Sequence, residues 1–559
     1  MNFLKDLSVL VLGLGDSGLA MARWCVRCGA QVSVWDSRDQ PPHLATLQRE
    51  LPEVQRVAAL PTQPWAARDS EGAEGDEGDE GVAGVAGVAR GGSSPGWRLV
   101  LKSPGLAPHE PQISAFLALA PGVAVLGELD LFVQALEDLQ QTQGYQPRLL
   151  AVTGTNGKTT VCAMTALLVE RAGKRAALAG NIGPTLLDTL STHIGHDIET
   201  WPEVWVLELS SFQLHGGGQG VRRFEASAAT VLNISQDHLD WHGSQAAYEA
   251  AKARIFGQQA VLVLNRDDPA VMAMAQALEP AEAASPAGKG GERVARAKAK
   301  AAAAAGREVV HFGLGAPKLP GDFGLVTEGG MAWLVRALPL EDSGKKRSRA
   351  PAAPDETAEL HLQRLMPADA LRVRGRHNAA NALAALALAT SIGCPLAPML
   401  HGLREYCGEP HRLQFVADLA GVIAYDDSKG TNVGATVAAI SGLAADHDAG
   451  RLLLILGGDG KGQDFGPLAE PLRRHGRAVA TLGRDAAIVE QAIASCGLPV
   501  QRCEDMAQAV QWCLSQAHSG DALLLSPACS SLDMYRNYAH RAEMFVTAVQ
   551  AHATEAGSV

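Results

Sequence analysis

No run of about 18 consecutive apolar residues, the length a helix needs to cross a bilayer, occurs in the chain, so no membrane span is expected. Long basic runs are missing too. The chain sets 48 Lys+Arg against 60 Asp+Glu, a formal net charge of −12. Aromatic residues do not interleave with basic ones as a nucleic-acid groove would require, so small-molecule substrates are the expectation. Cysteine is sparse: nine residues, odd in count and irregularly spaced, which argues against a secreted disulfide scaffold. Cys25-x-x-Cys28 lacks a second pair and follows a glycine-rich turn, so it reads as helix packing rather than a metal or redox pair. A charged leader with an apolar run and a small-residue cleavage site is also lacking. The chain goes straight into the strand-like Ser8-Val9-Leu10-Val11-Leu12 and is read as unprocessed, soluble and cytoplasmic.

At 559 residues the chain has room for roughly three or four domains. Short apolar strands alternate with helical stretches, the pattern of parallel α/β units. Three blocks separate, at 1–128, 129–408 and 409–559. Residues 69–96 are acidic and glycine-rich, 280–306 rich in Ala, Lys and Gly, and 341–358 charged and proline-containing. Each reads as a flexible insertion. Ala and Lys favour helix in the middle one, but it has no sustained apolar face to dock.

The strand-like Leu149-Leu150-Ala151-Val152 runs into Thr153-Gly154-Thr155-Asn156-Gly157-Lys158-Thr159-Thr160 and then a helical stretch to about Ala172, stopped by Gly173. Glycines let backbone N–H groups approach phosphate oxygens, and a helix N-terminus adds partial positive charge. Lys158 can meet terminal phosphates and Thr159 can ligate Mg²⁺. The spacing is shorter than the usual GxxxxGK[ST], because Val152 stands where its first glycine would be. A plain strand-to-helix turn is the competing reading.

Gly13-Leu14-Gly15-Asp16-Ser17-Gly18 follows the first strand, and Asp36 ends the second. That pattern fits a dinucleotide cofactor, the diphosphate of a nucleotide-linked substrate, or tight packing alone. Glu208 ends the apolar Val204-Trp205-Val206-Leu207, where a carboxylate faces the ligand crevice as an Mg²⁺ ligand or stands solvated. The polar stretch Asn233-Ile234-Ser235-Gln236-Asp237-His238-Leu239-Asp240-Trp241-His242 is a metal or phosphate loop, or a solvated one. Periodicity alone makes Lys252 a surface lysine. Asn265-Arg266-Asp267-Asp268 imitates the guanine-reading tetrad of GTPases with Arg in place of Lys, which leaves a GTPase as the rival class. In the last block, polar loops at Tyr425–Asn432, Gly457–Lys461 and Ser526–Asp533 each follow a strand, on the rim where an open parallel sheet binds ligand.

Taken together, TGTNGKTT, GNIG, ELSSFQL, NISQDHLDWH, GRHNAANALAALALA, PHRLQ, DDSKGTN, GGDGK and SPACSSLDMY resemble the Mur ligase family over nearly the whole chain apart from the insertions. DSKGTN and SPACSSLD are similar to the branch that adds D-glutamate. The resemblance implies an α/β protein of three domains: a Rossmann-like N-terminal domain for the UDP part of the substrate, a central P-loop ATPase-type parallel sheet, and a Rossmann-like C-terminal domain for the amino acid. It implies an ATP-dependent ligase of peptidoglycan synthesis that activates UDP-N-acetylmuramoyl-L-alanine as an acyl phosphate; a monomer is the expectation, though no sequence feature reads out the oligomeric state.

The same likeness distributes the site residues. Gly154, Thr155, Asn156, Gly157, Lys158, Thr159 and Thr160 would cradle ATP, with Asn378, Asn381, Arg412 and Asp427 as further ATP contacts. Thr159, Glu208, His238 and Lys252 would hold two Mg²⁺ ions, Lys252 as a carbamate; Lys158, His238 and Lys252 would be catalytic. Gly15, Asp16, Ser17, Asp36, Ser103, Gly105 and Asn181 would line the UDP site, and Thr431, Lys461, Ser531 and Leu532 would grip D-glutamate. Tyr538 stands near the place of an aromatic that closes the amino-acid pocket.

Overall fold

The computed structural model describes residues 3–62, 96–119, 122–215, 224–277, 307–340, 360–373, 375–446 and 450–555. The insertions expected at 280–306 and 341–358, and all of 69–96 except Gly96, lie outside the described residues. Two compact units result. One comprises Met1–Gln146, Gly183–Trp201 and Phe212–Phe224; the other comprises Pro147–Ile182, Pro202–Ser211 and Glu225–Val559.

The first unit is a parallel sheet of β1 (Ser8–Leu12), β2 (Gln31–Trp35), β3 (Gln55–Arg56), β4 (Leu99–Lys102) and β5 (Ala124–Leu126), in the order β3-β2-β1-β4-β5. Leu10, Leu12 and Val100 bury one face against Ile113 and Phe116. Helix Asp16–Arg27 starts directly beyond β1 because Gly13 takes φ +87° and Gly18 brings no side chain. A Cβ on Gly18 would lie 1.9 Å from the Gly13 carbonyl oxygen. Cys25 is buried in this helix and Cys28 is buried at its C-terminal cap, both as packing groups.

The second unit begins with a parallel sheet of β6 (Arg148–Thr153), β7 (Ala176–Gly180), β8 (Val204–Glu208), β9 (Ala228–Val231), β10 (Val261–Asn265) and β11 (Val309–Phe312), ordered β11-β10-β9-β6-β8-β7. β6 is flanked by two later strands, β9 and β8, so the chain leaves it at a topological switch point, where open α/β sheets bind ligand. Helices Lys158–Arg171 and Arg376–Ser391 cover this sheet. The second is Ala/Leu-rich on every side, and Ala382 to Ala389 are fully buried, as befits a helix that is hydrophobic all round.

Parallel units alone were expected, but an antiparallel sheet of β12 (Phe323–Glu328), β13 (Met331–Pro339) and β14 (Leu360–Pro367) intervenes. Its cause is local. Gly329 and Gly330 both take positive φ, +60° and +82°, the requirement of a two-residue hairpin whose twist matches its strands.

The last sheet holds β15 (Gln414–Leu419), β16 (Val422–Asp426), β17 (Leu452–Gly457), β18 (Gly476–Leu482), β19 (Val500–Arg502) and β20 (Ala522–Leu525), ordered β15-β16-β20-β17-β18-β19 with β15 antiparallel. Both faces are covered by apolar clusters. Its three central strands, β16, β20 and β17, are the ones followed by the three polar loops, so these loops emerge side by side.

Gly18→Ala should therefore strain the first helix against β1 and lower the thermal midpoint of the purified protein by at least roughly 2–4 °C. Gly15→Ala, whose Cβ meets nothing within 4 Å, should not. Equal midpoints for the two variants would contradict the close packing.

Candidate active site

Beyond β6 the backbone has no room for side chains at Gly154 and Gly157. Gly154 takes φ +151°, and a Cβ there would stand 3.0 Å from Leu232 Cβ; Gly157 takes φ +83°, and its Cβ would stand 2.8 Å from Asn381 Oδ1. The Lys158 ammonium curls back onto the loop, donating to the carbonyl oxygens of Gly154 at 2.9 Å and Thr155 at 2.8 Å. Burial lowers its pKa, partly offset by the charges of Glu208 and Asp237. Thr159 Oγ1 donates to Glu208 Oε2 at 2.9 Å, and Asn181 Nδ2 donates to Glu208 Oε1 at 2.9 Å. Glu208, 2% exposed, thus ends β8 beside the phosphate loop rather than in solvent.

Lys252 overturns the surface reading. It is 2% exposed, and its Nζ donates to the Gly154 carbonyl at 2.9 Å and to Thr153 Oγ1 at 3.3 Å. Helix Gln245–Ala253 places Tyr248 and Lys252 one turn apart, and the ammonium lies 4.7 Å from the Tyr248 ring centre. Burial, then the charge of Lys158, drives the Lys252 pKa well below the ordinary lysine range. His238 has φ +54°, and its Nε2 is 3.5 Å from the buried Asp237 carboxylate. Burial pulls the His238 pKa down to about 4; Asp237 opposes this, while Lys461, Lys158 and Lys252 reinforce it.

Asn378 and Asn381 sit on helix Arg376–Ser391, where Asn381 Nδ2 donates to Asn378 Oδ1 at 3.1 Å. Asp427 follows β16 and accepts from Ser526 Oγ at 2.7 Å. Burial pushes its pKa up to about 7 against that hydrogen bond and the attraction of Arg412. Lys461, with φ +51°, points its ammonium to within 3.6 Å of Asp237 Oδ1, so a loop of the last sheet meets a loop of the β6 sheet. Thr431 lies in the same group of loops, Ser531 is buried and Leu532 is 71% exposed. Tyr538 opens the final helix with its ring under Lys429 Nζ, 3.7 Å from the ring centre.

In the first unit the Leu14 N–H donates to Asp36 Oδ2 at 2.7 Å. Burial alone would raise the Asp36 carboxyl, but hydrogen bonds from Arg38 and from backbone N–H groups outweigh it and hold it at about 2. Asp16 pairs with His43 at 2.6 Å, Ser17 Oγ donates to the buried Glu128 at 2.7 Å, and Ser103 Oγ donates to the Gly13 carbonyl at 3.0 Å. Gly105 follows β4 with open space around it.

The MurD-like N-terminal domain matches residues 7–65, the Mur ligase middle domain 152–313, and the Mur ligase glutamate ligase domain 411–529. A UDP-N-acetylmuramoylalanine–D-glutamate ligase of Albidiferax ferrireducens is 52% identical over 558 residues, 100% of this chain and 99% of its own. One of the same name from Burkholderia cenocepacia is 48% identical, covering 98% of each chain. This chain belongs to the Mur ligase family. Among solved structures, the UDP-N-acetylmuramate-alanine ligase of Thermotoga maritima shares the fold at TM-score 0.51 and 17% identity, covering 98% of this chain and 99% of that one. The MurF ligase of the same organism in complex with ADP shares it at TM-score 0.51 and 13% identity, covering 98% and 96%.

For a Mur ligase the tetrad-like Asn265 to Asp268 has other work. Asn265 holds the Leu232 carbonyl, Arg266 the Phe323 carbonyl, and Asp268 caps helix Pro269–Gln276. These contacts remove the motif from base reading. The phosphate loop fits nucleotide phosphates, since its glycines leave the backbone bare, and the paired oxygens of Thr159 and Glu208 suit a hard cation. Among the described residues there is no group of three or more His, Cys, Asp or Glu that could hold a metal ion. Also among the described residues, no helix is long and apolar enough to cross a membrane.

Sequence reading left Asp237, Asn432 and Arg541 unassigned, and none has a spacing signal of its own. Arg541, 2% exposed, donates through Nε to Ser428 Oγ at 3.0 Å, through Nη2 to Ser428 O at 2.8 Å and through Nη1 to Cys529 O at 3.1 Å. One buried guanidinium thus ties the loop after β16 to the loop after β20 through uncharged oxygens, and burial brings its pKa down to about 10. Arg541→Ala should speed amide exchange in residues 427–432 and 528–532 by roughly ten- to a hundredfold, with β2 unchanged. Hydrogen–deuterium exchange mass spectrometry reads this, and unchanged loops would remove the tie.

Proposed function

We propose that this chain joins D-glutamate to UDP-N-acetylmuramoyl-L-alanine with cleavage of ATP to ADP and phosphate, in peptidoglycan precursor synthesis. The observation that carries this reading is the phosphate loop of β6 set beside Glu208 and facing Lys461 and Thr431 of the last sheet, within a chain 52% identical over its whole length to a ligase of that name. A free carboxylate resists an amine; an acyl phosphate offers a leaving group and passes through a tetrahedral intermediate that positive groups stabilise. Each residue has a part. The bare backbone of Gly154 to Gly157 seats the phosphates, and Lys158 exchanges its carbonyl partners for phosphoryl oxygens. Asn378, Asn381, Arg412 and Asp427 complete the nucleotide contacts.

Thr159 and Glu208 would hold one Mg²⁺, and His238 with Lys252 a second; bound there, the ions neutralise charge on the transferring phosphoryl group. An ammonium at Lys252 would repel a cation. Its burial favours the neutral amine, which can add CO₂ to become an anionic carbamate with oxygen ligands. Lys461, Thr431, Ser531 and Leu532 grip D-glutamate, and Lys461 trades Asp237 for a substrate carboxylate. The UDP end is read by Gly15, Asp16, Ser17, Asp36, Ser103 and Gly105 in the first unit, joined by Arg38, which pairs with Asp36; Asn181 serves the same substrate by the family resemblance. We place the division into three domains at 1–128, 129–408 and 409–559, and the working enzyme as a cytoplasmic monomer.

The deciding assay is ADP release by purified protein given UDP-N-acetylmuramoyl-L-alanine and a panel of amino acids. D-Glutamate should support turnover and Lys158→Ala should abolish it without loss of fold; release with another amino acid alone, or near-normal turnover by the variant, would refute the reading. For the carbamate, Lys252→Ala should lose most activity and regain part of it with a short carboxylic acid supplied. A fully active Lys252→Ala enzyme would overturn that assignment.

A further inference from the structure

Asn432, 4% exposed, stands where the loop after β16 meets the phosphate loop after β6. The main chain fixes its orientation. Its Oδ1 accepts from the Ala435 N–H at 2.9 Å, capping helix Val433–Asp446, so Nδ2 must face the other way. There it donates to Asn156 Oδ1 at 2.9 Å and reaches Asp237 Oδ2 at 3.4 Å. Asn156 Nδ2 donates back to Asn432 Oδ1 at 3.2 Å, so two amides 276 residues apart close a two-bond ring. Asn156 is equally fixed: its N–H donates to Asn233 Oδ1 at 2.8 Å, and its carbonyl accepts from Asn233 Nδ2 at 3.1 Å.

The seam continues on both sides. Asp237 holds Lys461 at 3.6 Å, and Thr431 is the residue before Asn432. Paired amides are short-ranged and directional, and salt does not screen them as it does ion pairs. A shift of the Asn156 backbone is therefore passed to the loop that carries Thr431, with little slack.

We propose that Asn432 is a positioning residue and that its pairing with Asn156 couples the seating of nucleotide phosphates to the presentation of Thr431 and Lys461 to the amino-acid substrate. The proposal rests on the D-glutamate reading above. Its content is a linkage: nucleotide on the phosphate loop raises D-glutamate affinity, and the amide pair transmits the effect.

The test is calorimetric titration of D-glutamate into the full-length enzyme carrying UDP-N-acetylmuramoyl-L-alanine, with and without a non-hydrolysable ATP analogue. Asn432→Asp keeps the helix cap but cannot donate to Asn156 and sets a like charge against Asp237. Asn156→Ala removes the pair from the nucleotide side and is titrated at an analogue concentration first shown to saturate it, so the test survives should either variant fail to fold. In the unsubstituted enzyme the analogue should tighten D-glutamate binding by about tenfold, and either variant should bring that ratio close to one. A structural role alone would weaken D-glutamate equally with and without the analogue, leaving the ratio unchanged. That result, or an unsubstituted enzyme indifferent to the analogue, would overturn the proposal. Failure of the D-glutamate reading is separable: the unsubstituted enzyme would then release no ADP with D-glutamate.

Discussion

The stretch from Gly154 to Gly157 lies so close to its neighbours that a methyl group at either end would meet Leu232 or Asn381 at 3.0 Å or less. That close approach at Gly154 and Gly157 is the constraint on which the site depends. It lets loop amides face a phosphate, brings Lys158 round onto the loop carbonyls, and leaves Glu208 within reach of Thr159. It also sets the address. β6 lies between β8 and β9, so its loop shares the rim with Glu208 on one side and the Asp237–His238 loop on the other.

Around that loop the second unit gathers charges that would be costly to bury singly. Lys158 and Lys252 both lean on the Gly154 carbonyl; burial lowers the pKa of each, the charge of Lys158 lowers that of Lys252 further, and Glu208 and Asp237 oppose both shifts. Lys461 reaches the same Asp237 from the last sheet. The arrangement leaves several positive groups on neutral oxygens, which suits a site built to receive phosphates and carboxylates. Arg541 repeats the theme at the far loops, a buried guanidinium on a hydroxyl and two carbonyls.

Much of this was legible in residues whose role is local. A glycine-rich turn between a strand and a helix, an acid at a strand end, and three polar loops after apolar strands are all short-range patterns, and the topology set the three loops on adjacent strands. Periodicity alone puts Lys252 on the surface because a nine-residue helix carries little of it, whereas the family resemblance assigns it to the site; Tyr248, one turn earlier and 1% exposed, was the available clue. The antiparallel sheet could have been read from Gly329-Gly330, a hairpin turn between β-rich runs. Asp237, Asn432 and Arg541 had no such signal. Their partners lie from 113 to 276 residues away in several contacts, and only the folded chain brings them together.

One chemical event at the phosphate loop, the activation of a substrate carboxylate by phosphoryl transfer, makes the amide bond possible. Its most direct measurement uses UDP-N-acetylmuramoyl-L-alanine labelled with ¹⁸O in the alanine carboxylate, turned over with ATP and D-glutamate, and mass analysis of the phosphate released. When the amine attacks an acyl phosphate, the C–O bond breaks and phosphate leaves with one carboxylate oxygen, so the phosphate should carry a single ¹⁸O. Unlabelled phosphate, with the label retained in the product or found in nucleotide, would contradict the account.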